Sequence, residues 1–161
     1  MEVDEILRVG LARAETLTRD HQVQVAVTEK LPTLSVDAAS ITEVLYILLD
    51  NASKYAPPRS AIRVSASLAG GQQVELAVAD EGPGIPAASR AQVFDRFFRV
   101  PGTVSYDPRR KGIGLGLSIA RRLVEAQGGR IWIDEAPSAG TTVHFTVPTT
   151  ESQSLQIGVA S

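Results

Sequence analysis

The chain has 161 residues, a net charge of −2 and no cysteine. That length fits one domain able to bury a core of its own. The balanced charge speaks against a nucleic-acid binder, and the absence of thiols excludes disulfides, iron–sulfur clusters and thiolate zinc sites.

No apolar run reaches the ~18 residues of a membrane-spanning helix, and Met1 is followed by acidic "EVDE", so no signal peptide is expected. Apolar residues at helical spacing (Val3, Ile6, Leu7, Leu11, Ala14, Leu17) predict a first helix over 3–20. "VQVAVT" at 23–28 alternates and predicts a strand. A second helix is expected over 38–55, capped by Asp37 or by Ser40, which with Glu43 spells a capping box. "AIRVSAS" (61–67) and "QVELAVAD" (73–80) read as two strands joined by a hairpin at "LAGGQ".

Residues 87–94 suit one or two helical turns. Residues 99–111 form a basic, apolar-poor stretch with Pro101, Gly102 and Pro108, expected to be a long lid-like loop. A third helix is predicted from Leu115 to Gln127, stopping at Gly128-Gly129. "RIWIDE" and "TTVHFTV" are the last strands, turning at "PSAG"; Thr149 to Ser161 read as a flexible tail after a 1–148 domain. The hairpins favour a mostly antiparallel, mixed sheet with three helices on one face, an α+β two-layer sandwich, over a doubly wound parallel sheet.

Three stretches carry chemistry. "KGIGLGLS" has G-x-G-x-G spacing ahead of a helix. It fits neither the P-loop, which needs G-x-x-x-x-G-K-[ST], nor the dinucleotide fingerprint, which follows a strand directly; a flexible linker is the plain alternative. "VADEGPGIP" ends a strand in Asp80 and adds Gly82 and Gly84, so a carboxylate acceptor stands where the backbone can turn tightly. An ordinary Asp-Gly turn has the same letters. On the second helix, Ile41, Val44, Leu45, Leu48, Ala52 and Tyr55 share the core face. Glu43, Ile47 and Asn51 make a second stripe flanked by Asp50 and Lys54. The Asn51 amide oxygen suits a Mg²⁺ shell that also holds phosphates, and a solvated face is the alternative.

In order, "LLDNASKY", "DEGPGI", "FDRFFR", "GIGLGL" and "GTTVHF" resemble the ATP-binding catalytic domain of bacterial sensor histidine kinases, in the GHKL superfamily shared with gyrase, Hsp90 and MutL. The resemblance covers about Leu31 to Pro148, and "FDRFFRVPG" is similar to the potassium-sensing type. It implies a sheet under three helices, a mobile ATP lid, and the cofactors ATP and Mg²⁺. By position it implies Asn51 as metal ligand, Lys54 at the phosphates, Tyr55 against adenine and Asp80 accepting the adenine N6 amine. Gly82 and Gly84 would pass close to the base. Gly112, Gly114, Gly116 and Leu117 would line the phosphates, and Thr141 would back the adenine. Phe94 and Phe97 would anchor the lid or simply pack in the core. Arg99 and Lys111 would reach the γ-phosphate, and Arg109 and Arg110 read as solvated lid charge. The implied setting is two-component signalling in the cytoplasm, as part of a membrane-anchored sensor. The partners would be a phosphoacceptor domain of the same sensor and, indirectly, a response regulator.

Two departures stand out. Ile47 occupies the position where histidine kinases carry Asn and hydrolysing relatives carry a water-activating Glu. Isoleucine can neither take a proton nor ligate a metal, which speaks against a gyrase-like ATPase. It leaves two readings: a kinase whose acceptor histidine is activated elsewhere, or a nucleotide-binding module without kinase activity. An anti-sigma-type serine kinase is a remoter rival, because "FDRFFR" is present and Glu is absent at position 47. The only histidines, His21 and His144, lie at or within strand patterns and read as structural, so the phosphoacceptor is expected on another domain.

Overall fold

The run from Ala38 to Tyr55 forms an 18-residue helix, α2, the spine of a computed structural model that describes residues 2–28, 30–70, 72–85, 87–90, 92–95, 116–134 and 140–150. Its expected core face is buried at Ile41, Val44, Leu45, Leu48 and Ala52, but Ile47 and Leu49 are buried too. A helix apolar on more than one side needs more than one neighbour, and α2 lies against the sheet and two other helices. Asp37 is the cap residue by position. The Ser40–Glu43 capping box does not form, because Ser40 is already inside the helix and its Oγ donates to Asp37 Oδ2 at 2.6 Å. Glu43 instead pairs with Arg13. The helix ends ahead of Pro57-Pro58, which cannot continue it.

The first helix, α1, covers Val3–Arg13 and stops short of the expected residue 20. Past it the chain continues in hydrogen-bonded turns, with Thr18 donating both its N–H and its Oγ1–H to the Ala14 carbonyl. α1 buries Val3, Ile6 and Leu7. It approaches α2 so closely that a Cβ on Gly10 would lie 2.5 Å from Leu45 Cδ2. The Arg13 guanidinium lies 4.2 Å over the Tyr46 ring and fastens the other end of the contact.

Five strands follow the alternation in the sequence: β1 (Gln22–Val27), β2 (Ala61–Ala69), β3 (Gln73–Asp80), β4 (Ile131–Ile133) and β5 (Thr141–Pro148). They form one sheet in the order β1-β2-β3-β5-β4. β1 runs parallel to β2 and every other pairing is antiparallel. The mixed, mostly antiparallel sheet with three helices is therefore the fold. Ile62, Val64 and Ala66, Val74, Leu76 and Val78, and Val143, Phe145 and Val147 turn alternately toward the helices and fill the core. On the other face the His144 ring stacks on Trp132 at 5.3 Å and donates Nδ1–H to Glu75 Oε2 at 3.1 Å, a structural histidine as expected.

Helix α3 (Gly116–Ala126) packs on α2 and closes at the predicted glycine pair, where Gly129 N–H reaches the Val124 carbonyl at 3.0 Å. The expected turn near 87–94 is a short 3-10 helix at Ala87–Ser89, followed by Val93 N–H donating to Ser89 O. Just past the expected domain end at 148, Thr149 and Thr150 still bond to the rest of the chain. Thr149 bridges Leu34 and donates Oγ1–H to Gln72 O at 2.8 Å, and Thr150 N–H donates to Thr33 O at 3.0 Å. The expected lid over 99–111 and the remaining tail lie outside the described residues.

Candidate functional site

The last two turns of α2, the end of β3, the start of β5 and the first turn of α3 converge. Asp80 is the last residue of β3 and pairs in register with Thr141, the first of β5. Its Oδ1 accepts the Gly82 N–H at 2.8 Å. Burial pushes the Asp80 carboxyl up to about 6; the N–H groups of Gly82 and Thr141 and the charge of His21 act against that rise. A carboxylate held out of water with part of its hydrogen bonding satisfied is a strong acceptor for an N–H ligand.

The walls around Asp80 are backbone. A Cβ on Gly82 would lie 2.9 Å from both Asp80 Oδ1 and the Tyr55 carbonyl oxygen, so only glycine lets the chain pass here. Gly140 has φ +125° and would place a Cβ 2.4 Å from the Asp80 carbonyl oxygen. Gly84, at φ +79°, would meet Gly140 O at 3.1 Å. Gly140 was given no role in the sequence analysis, although it closes the "PSAG" turn and opens the "GTTVHF" stretch.

On the α2 side, Asn51, Lys54 and Tyr55 are half-buried. The start of α3 stands over this helix: a Cβ on Gly116 would lie 3.8 Å from Asn51 Oδ1 and 3.3 Å from Ile47 Cγ2. Ile47 is thus packed beneath the α3 N-terminus at 8% exposure and does not look into open space. Lys54 Nζ holds Asp50 Oδ2 at 3.1 Å across one helical turn. Leu117 is half-buried against the core.

Seven of the predicted residues therefore gather on one rim: Asn51, Tyr55, Asp80, Gly82, Gly84, Gly116 and Thr141. Lys54 and Leu117 flank it on α2 and α3. Phe94 is half-buried after the 3-10 turn. Arg99, Lys111, Gly112, Gly114 and Phe97 lie outside the described residues.

Residues 36–151 match the family described as histidine kinase-, DNA gyrase B- and HSP90-like ATPase. The chain belongs to that family. Among its relatives, the adaptive-response sensory kinase SasA of Synechococcus sp. is 39% identical over 127 residues, which is 79% of this chain and 33% of that protein. SasA of Nostoc sp. is 34% identical over 140 residues, 87% of this chain and 34% of that protein. The chain thus spans about a third of the length of these curated relatives. Of solved structures, the mycobacterial sensor histidine kinase MprB superposes with a TM-score of 0.78 at 30% identity, covering 92% of this chain and 96% of that one. Full-length ShkA in complex with AMPPNP superposes with a TM-score of 0.78 at 27% identity, covering 92% of this chain and 30% of that one. The histidine-kinase type of ATPase domain, which the order of the five sequence stretches implied, is thereby shown.

Proposed function

We propose that this chain is the catalytic domain of a sensor histidine kinase, binding Mg·ATP and passing the γ-phosphoryl group to a histidine on a separate dimerisation domain. The observation that carries the reading is the Asp80 carboxylate, buried, oriented by Gly82 and enclosed by backbone that admits no side chain at Gly82 or Gly140. An acceptor in that setting selects adenine through its exocyclic amine. A base offering a carbonyl there would leave the carboxylate facing another acceptor.

Each residue then has a task. Asp80 accepts from N6–H, Tyr55 and Thr141 flank the base, and Gly82 and Gly84 let backbone approach it. Gly112, Gly114, Gly116 and Leu117 bring N–H groups and the positive end of α3 to the phosphates. Asn51 lies directly beneath Gly116, so its carboxamide oxygen fits a metal ion carried in by those phosphates. Mg²⁺ bound there would neutralise phosphate charge. Lys54 is oriented by Asp50 at the same rim, and Arg99 and Lys111 supply charge toward the γ-phosphate. Transfer of this kind depends on positioning and charge compensation.

The nucleophile is a histidine on the dimerisation domain of the same sensor, and a response regulator receives the phosphoryl group afterwards. Among the described residues no helix is long and apolar enough to cross a membrane. We place the domain on the cytoplasmic side of an anchored sensor, where ATP is. Kinship with the potassium-sensing type rests on local sequence alone.

Calorimetry with ATP and Mg²⁺, followed by transfer from radiolabelled ATP to a supplied dimerisation domain, tests the reading. Tight binding with transfer supports it, and absence of ATP binding overturns it. Ile47 favours one second reading, a nucleotide-binding module without transfer, since an apolar methyl group packs against Gly116 where a polar side chain would stand. Binding without transfer would select it.

A further inference from the structure

Two ion pairs among the described residues join side chains one helical turn apart, and their settings differ. Arg121 and Glu125 meet at 2.9 Å on α3, with side chains 47% and 56% exposed. Lys54 and Asp50 meet at 3.1 Å on α2, with side chains only 14% and 25% exposed. An ion pair open to water adds little to stability, and one drawn out of water costs desolvation. The Asp50–Lys54 pair is therefore a poor device for holding the fold together, and its place on α2 points to another task.

Ile47 and Asn51 are the α2 residues that stand under Gly116, where α3 presents its positive end. Asp50 follows Ile47 by three positions and Lys54 follows Asn51 by three, so the pair continues the same ridge of the helix. Ser53 fastens this turn by donating its Oγ–H to the Asp50 carbonyl at 2.8 Å. Of the two acidic residues of α2, Glu43 is drawn off by Arg13. The first turn of α3 carries no acidic residue. On these two helices, Asp50 is thus the carboxylate beside Asn51 and Gly116.

We infer that Asp50 is a specificity-determining residue, whose carboxylate sets the preference of the site for Mg·ATP over metal-free ATP. The inference rests on the reading of Asn51 and Gly116 as the phosphate end of an ATP site.

The chemistry is a balance of charge. Asp50 neutralises Lys54 while it fixes the ammonium one turn beyond Asn51. The rim therefore carries less positive charge than its lysine alone would give it. The carboxylate repels a bare polyphosphate more strongly than one whose charge a divalent ion has partly cancelled, and it attracts the ion. Across about one helical turn of partly wet, salt-screened surface, a unit charge separates the two ligands by roughly three- to tenfold.

The test is titration calorimetry with ATP in Mg²⁺, ATP in EDTA, and adenosine, which carries no phosphate. The proteins are wild type, Asp50→Asn, Asp50→Glu and Lys54→Met. In Asp50→Asn the affinity for metal-free ATP should rise, and the preference for Mg·ATP should fall roughly three- to tenfold. Asp50→Glu keeps the charge and should stay close to wild type. Lys54→Met removes the opposite charge and should increase the preference. Adenosine should bind wild type and Asp50→Asn equally. An unchanged preference in Asp50→Asn, or a glutamate variant that behaves like the asparagine one, overturns the inference. So does an adenosine affinity that falls together with that for ATP, since Asp50 would then only support the shape of the site. If wild type binds no ATP in either condition, the reading of the site itself falls; if it binds and Asp50→Asn leaves the preference unchanged, only the role of Asp50 does.

Discussion

Asp80 costs the ligand-free fold stability once its carboxyl is ionised. Its carboxyl is raised from 3.8 to about 6 by burial, so the folded chain holds a proton that the unfolded chain has already lost between those values. Stability is therefore greater below that window and declines as pH rises through about 6, by at most about 3 kcal/mol and by less where water reaches the group. Asp80→Asn keeps an oxygen for the Gly82 N–H and removes the buried charge. We expect the ligand-free variant to melt at a higher temperature than wild type at pH 7.5, and to bind ATP roughly 10- to 150-fold more weakly, the value of a hydrogen bond to a charged acceptor. Differential scanning calorimetry and titration calorimetry read the two halves; a lower melting temperature contradicts the burial argument. The neighbouring glycines work the opposite way. Gly140→Ala forces a Cβ to within 2.4 Å of the Asp80 carbonyl oxygen at φ +125°. It should lose about 1–3 kcal/mol of stability, seen as a lower urea midpoint with an unchanged m-value.

Between α2 and α3, the contact that matters is Ile47 Cγ2 against Gly116. The stripe Glu43, Ile47, Asn51 was legible as a second face of α2, and so was its flank of Asp50 and Lys54. The sequence could not show that this face splits three ways. Glu43 is drawn off by Arg13, Ile47 is covered by the start of α3, and only Asn51 remains at the rim. Periodicity reports which residues share a face; what covers the face depends on an element more than sixty residues away. Alternation placed Asp80 at the end of one strand and Thr141 at the start of another; that the two strands are neighbours and pair these residues comes from the structure alone. Gly140 stood inside the quoted "GTTVHF" stretch, but the reason for it, the Asp80 carbonyl beside it, comes from another strand and is not in the local pattern. At this seam, Ile47→Asn should cost about 2–4 kcal/mol by removing a buried side chain and placing an amide beneath Gly116, against about 0.5–1.5 kcal/mol for Ile47→Val. In a protein joined to its dimerisation domain, phosphoryl transfer by Ile47→Asn, compared at equal folded fraction, should equal or exceed wild type.

At the scale of the molecule, the family match and the folding unit have different limits. The match spans residues 36–151, yet α1 and β1 lie before it. Val3, Ile6 and Leu7 of α1 are at most 3% exposed and belong to the same core as α2 and the sheet. β1 supplies the one parallel pairing among the described residues, and His21 stands just before it. Each fully buried aliphatic side chain is worth about 1.5–3 kcal/mol, so three of them amount to roughly 5–9 kcal/mol, as much as the whole stability of many domains. Removing α1 would also uncover Leu45, which is fully buried and which Gly10 now approaches. A chain beginning at Val36 should therefore fail to reach the native state even though it contains every residue assigned to ATP. The expected signs are a lost cooperative melting transition, bound hydrophobic dye and no ATP binding. A chain starting at Glu2 and ending at Thr150, which keeps the bridge from Leu34 to Thr149, should melt within a few degrees of the full sequence and bind ATP equally well. If the shorter chain melts cooperatively and binds ATP, the first helix is an accessory and the core ends at α2.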